Sequence, residues 1–109
     1  MEQTKFIKMI LNIMSPISEI STNANDKYIG LYKSSVMFGK ILENKVFLLN
    51  YTNKFAEVEN SLITRLLKPE LEIDKADLDM FLLEVTKAWW FALGKKINIL
   101  NMNEILKNI

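Results

Sequence analysis

The chain has 109 residues, half of them apolar and a quarter charged, with a formal net charge of +1. That is the balance of one folded domain, 1–109, with length for a single core and no whole-molecule field to draw it to nucleic acid or anionic lipid. Histidine and cysteine are both absent, which removes the usual neutral-pH general base, the thiolate nucleophile, any disulfide and most transition-metal sites.

In chain order, Phe6, Ile7, Ile10, Leu11, Ile13 and Met14 recur at spacings of three and four. They predict an amphipathic helix, which Ser15-Pro16 either kinks or follows with the cap of a short second helix. STNANDK, 21–27, consists of residues that hydrogen-bond their own backbone in turns, and predicts a loop. From Tyr28 onward, Leu31, Tyr32, Ser35, Phe38, Ile41 and Leu42 keep helical spacing. Gly30 and Gly39 each cost such a helix about 1 kcal/mol relative to alanine. KVFLLNYT, 45–52, suits a strand or a buried helical turn equally. Phe55, Val58, Glu59, Leu62, Ile63, Leu66 and Leu67 predict a further helix ending before Pro69. The last long helix has the sharpest boundaries, with Asp74 as N-cap, Asp77 in the first turn and Gly94 as a left-handed C-cap. The tail NMNEILKN repeats that logic, with Asn101 as cap and Glu104 three residues later. The sum is an all-α fold, a compact bundle of four to five helices, with one β-hairpin (45–51 with 96–100) as the alternative.

No catalytic residue, metal or cofactor is expected. The serines have no histidine to activate them, and no glycine-rich phosphate loop is present. The one acidic cluster, PELEIDKADLD, holds Glu70, Glu72, Asp74, Asp77 and Asp79. It lacks the ligand spacing and the glycine of a calcium loop, and acidic residues gather at a helix start because the macrodipole favours them there. Its other use is as an acidic patch presented to a basic partner. Lysines are scattered along the chain and Arg65 is the sole arginine, so no nucleic-acid footprint is expected. The longest apolar-rich stretch, 80–93, contains Glu84 and Lys87 and is too short to span a bilayer. A cytoplasmic protein without a membrane role is the expectation.

Both tryptophans stand together in KAWWFALGKK, 87–96. At about 100° per residue, Leu78, Phe81, Leu82, Val85, Trp89, Ala92 and Leu93 share one face, a core stripe. Trp90 falls about 100° further round, grouped with Met80, Leu83 and Phe91 around Lys87. One reading buries this second face in a central helix. The other leaves it as a partner surface, with Trp90 at its energetic centre and adaptable Met80 beside it. The second reading makes the chain a non-enzymatic, protein-binding module. Its partner surface is Met80, Leu83, Lys87, Trp90 and Phe91, flanked by Glu70, Glu72 and Asp77. The concrete form is an immunity- or antitoxin-type inhibitor of a basic toxin or nuclease, by analogy between protein classes. A homodimeric structural or chaperone-like protein is the main alternative, ahead of a small DNA-binding helical domain.

Overall fold

A computed structural model describes residues 2–68 and 73–107. The order of elements is α1 (Gln3–Ile13), β1 (Ile20–Ala24), β2 (Ile29–Lys33), β3 (Val36–Leu42), β4 (Lys45–Leu49), β5 (Phe55–Glu57), α2 (Asn60–Leu66) and α3 (Lys75–Lys107). The five strands form one antiparallel meander in the order β1-β2-β3-β4-β5. The fold is therefore α+β, and the expected all-α bundle is wrong.

The error centres on residues 28–42. The spacing that mimics a helix belongs to two strands, joined by a two-residue turn at Ser34-Ser35. Ser34 and Ser35 have φ of 49° and 66°, and Glu43 and Asn44, joining β3 to β4, have 52° and 57°. A left-handed φ at both central positions is what a type I′ hairpin turn requires, normally with Asn-Gly or Asp-Gly. Here neither turn contains glycine, so the usual hairpin signal is missing. A register shift between Leu31 and Tyr32 further breaks the alternation: Leu31 lies opposite Gly39 and Tyr32 opposite Met37, leaving Phe38 bulged. Phe38 and Gly39 are consequently both buried, an apolar pair that helical spacing imitates.

Three further expectations change with it. Residues 21–24 form most of edge strand β1, and the loop is confined to the turn after it, where Asn25 Oδ1 accepts from the amides of Lys27 and Tyr28 at 2.8 and 2.9 Å. The alternative hairpin fails as well, because β4 pairs with β3 and β5 while 96–100 lies inside α3. Phe55 opens a strand, not a helix, and α2 starts at Asn60.

The core is one cluster of side chains. Phe6, Ile10 and Ile13 come from α1, with Met14 just after it, and Leu31, Phe38, Ile41, Val46 and Leu48 come from the sheet. Leu62, Ile63 and Leu66 of α2 join Phe81, Val85, Ala88 and Ala92 of α3 to complete it. α3 lies across β3 and β4, with α2 packed on its first turns. The Trp89 indole N–H donates to the Lys33 carbonyl at 3.0 Å, tying the helix to the end of β2. The row Lys40–Phe47–Glu57 runs across the opposite face of the sheet. There the Lys40 ammonium lies 5.1 Å from the ring centres of Tyr28 and Phe55, and Lys45 pairs with Glu57 at 3.5 Å.

α3 begins as expected, with Asp74 Oδ1 accepting from the Ala76 amide at 2.8 Å. It does not end at Gly94. The helix runs on to Lys107, absorbing the separate tail helix, and no glycine has a positive φ. At 33 residues it is about 50 Å long, against a longest dimension of 60 Å for the molecule. Every described side chain from Lys95 onward is exposed.

Candidate functional site

α3 carries apolar residues on two sides because only one side meets the sheet. Phe81 and Val85 on the inner side are fully buried. On the outer side Met80 and Leu83 are each 53% exposed, Trp90 59% and Phe91 39%. Burying the second face inside a central helix is therefore not how the chain folds. Trp89 and Trp90 diverge as the helical wheel divides them: Trp89 is half-buried against the core while Trp90 faces solvent, their rings edge-on at 5.2 Å.

This outer side is one wall of a groove. The β4–β5 turn supplies the other wall through Leu49, Asn50 and Tyr51, the last 82% exposed. An Asx-type network holds the turn in shape, with Asn50 Oδ1 accepting from the Thr52 and Lys54 amides at 3.0 and 3.1 Å. Two adjoining clefts make up the groove. The larger, about 720 Å³, runs along Trp90, Phe91, Gly94, Asn98, Met102 and Leu106. The second, about 490 Å³, continues from Phe91 past Lys87, Glu84 and Met80 to Val58 and Leu62. Leu49, Asn50, Tyr51 and Phe91 line both.

Of the residues singled out from sequence, Met80, Lys87, Trp90 and Phe91 come together here, whereas Leu83 is exposed outside either cleft. Lys87 lies 3.6 Å from Glu84, an exposed pair one helical turn apart. Asp77 does not join them. It receives both Arg65 Nε, at 2.9 Å, and Arg65 Nη2, at 3.1 Å, pinning α2 to α3. Those hydrogen bonds from Arg65 hold the Asp77 carboxyl below the ordinary carboxylate range and raise the guanidinium in turn. Glu70 and Glu72 lie outside the described residues. Among the described residues, Glu59 and Glu84 border the groove with their carboxylates, while Glu57 lines it but pairs with Lys45.

Sequence reasoning missed the far wall, because the approach of Tyr51 to α3 is a long-range contact. It also missed Asn98, Met102 and Leu106, because reading Gly94 as a terminator cut the stripe short. An alanine Cβ at Gly94 would meet nothing within 4 Å. Gly94→Ala is therefore expected to stabilise the isolated chain by about 0.5–1 kcal/mol in denaturant titration, through helix propensity alone. The same methyl protrudes into the groove, so it should weaken an occupant that approaches closely there.

Among the described residues, no three His, Cys, Asp or Glu side chains are grouped to hold a metal ion, and no helix is long and apolar enough to cross a membrane. Compared with known proteins, the chain matches no family model, no curated protein and no solved structure.

Proposed function

We propose that this chain is a non-enzymatic, intracellular protein-binding module, and that the groove between α3 and the β4–β5 turn is its binding surface. The observation that carries this is the exposure of Met80, Trp90, Phe91 and Tyr51 along one continuous depression. Contiguous exposed apolar surface of this kind is costly to leave wet and marks interaction sites on folded domains. Tryptophan and tyrosine anchors beside adaptable methionine are what such sites use. The groove follows about seven turns of α3, from Met80 to Leu106, which suits an amphipathic helix or extended apolar segment of a partner polypeptide.

The most concrete form is an inhibitor of the immunity or antitoxin type. Its acidic component shifts from Asp77, which Arg65 occupies, to Glu59 and Glu84 at one end of the groove. A basic toxin or nuclease segment with an apolar face would meet both features there.

The test is capture of partners from the source cells by tagged protein, wild type against Trp90→Ala, followed by titration of the captured partner. With Trp90 removed, the affinity is expected to fall by about 2–4 kcal/mol, roughly 30- to 1,000-fold. At dilutions where both proteins are monomeric, thermal unfolding should stay close to wild type. Equal affinity of the two proteins for the partner would remove the groove from consideration.

A further inference from the structure

We infer that in the free protein a second copy of the chain covers this groove, with the two α3 helices antiparallel about a two-fold axis near Trp90. The inference rests on the reading of the groove as a binding surface and names its resting occupant. Three observations carry it.

The first is area. Tyr51, Met80, Leu83, Trp90, Met102 and Leu106 are each more than half exposed. With Phe91 they leave on the order of 700 Å² of largely apolar surface on one side of the molecule, at about 100 Å² a side chain, half of what a large side chain can bury. The largest patch on an ordinary monomer is about 300–600 Å², whereas each partner of a standard interface buries about 800 Å². The patch has the size of half a stable dimer contact.

The second is charge. The end of the groove near β5 carries Glu59 and Glu84, with Lys87 paired to Glu84 and the Glu57 carboxylate turned to Lys45, and among the described residues lining the other end the charged one is Lys95. A patch acidic at one end, basic at the other and apolar between is complementary to itself under a two-fold rotation, and an isologous contact demands that property. Glu84 and Lys95 stand nearly equidistant from Trp90 along the helix, so an axis there sets each against the other's counterpart. It also opposes the two helix dipoles.

The third is the helix itself. The described side chains of residues 95–107 are all exposed, and isolated helices shorter than about 12–15 residues are marginal in water. Packing against the groove of a second copy places Met102 and Leu106 in an apolar environment and supplies the missing support.

The experiment is sedimentation equilibrium of the purified full chain, with light scattering alongside, for wild type, Trp90→Ala, Glu84→Lys, Lys95→Glu and the double charge exchange. Circular dichroism establishes that each variant is folded. Wild type is expected at twice the 12.7 kDa chain mass. Trp90→Ala should be monomeric, each single charge reversal should weaken the dimer by about tenfold or more, and the double exchange should restore it. A monomeric wild type overturns the inference, as does a dimer indifferent to Trp90→Ala or charge reversals that the double exchange fails to rescue. A monomer that still loses its captured partner on Trp90→Ala would sink the self-pairing alone and leave the groove as a binding surface.

Discussion

Truncating Phe81 to alanine is expected to cost the fold about 3–5 kcal/mol, the range for removing a buried aromatic ring from a packed core. Phe81 is fully buried on the inner side of α3, in the same cluster as Phe38, Ile41 and Val46 of the sheet. The loss combines the transfer free energy of the ring with an unfilled cavity between the helix and β3. A domain of this length has about 5–15 kcal/mol in total, so Phe81→Ala should lower the denaturation midpoint steeply or leave the chain partly unfolded. Trp90 sits on the same helix and is larger, yet should behave in the opposite way, with a stability change near zero in the isolated chain. A loss at Trp90 equal to that at Phe81 would mean that both faces of α3 are core.

The second large effect is expected at Gly39, on β3. A Cβ there would lie 2.7 Å from the Phe47 carbonyl oxygen and 3.0 Å from Leu48 Cδ2. The first neighbour is backbone of the adjacent strand and cannot rotate away. Replacing glycine by alanine in a strand ordinarily gains about 0.5–1 kcal/mol from chain entropy. Here β3 and β4 must separate locally to admit the methyl, at the cost of overpacking, about 1–3 kcal/mol. Sterics win, and Gly39→Ala should unfold at lower denaturant with an unchanged slope. A stabilised Gly39→Ala would show that the strands are not so closely apposed.

Local patterns in the sequence identify α1 and the start of α3 and separate the roles of the two tryptophans. Phe6, Ile10 and Ile13 are spaced for one helical face and are buried on one, and Asp74 caps the helix it precedes. The sheet was hidden for specific reasons. Its tight turns are Ser34-Ser35 and Glu43-Asn44, where left-handed backbone is adopted without glycine. The bulge at Phe38 then resets the two-residue alternation so that β2 and β3 resemble a helix. At Gly94 the mistake runs the other way. Glycine is the commonest left-handed cap, but nothing forces the backbone to turn there, and helical residues on both sides carry α3 through. That one residue also hid half of the candidate site, because Asn98, Met102 and Leu106 extend the Trp90 stripe only if the helix continues. Tyr51 reaches the groove through the strand pairing of β4 with β5, a tertiary contact without a local signature.

The methionines allow a direct reading of whether the groove is occupied. Met80 and Met102 lie in its two clefts and are more than half exposed. Met9 and Met37 are half-buried elsewhere and serve as internal references. The decisive measurement is the rate of peroxide oxidation at each of the four, in dilute free protein and in the complex with its captured partner. Occupation of the groove predicts strong protection of Met80 and Met102 in the complex, with Met9 and Met37 unchanged. Unaltered oxidation of Met80 and Met102 in the complex would contradict it and place the partner on another face.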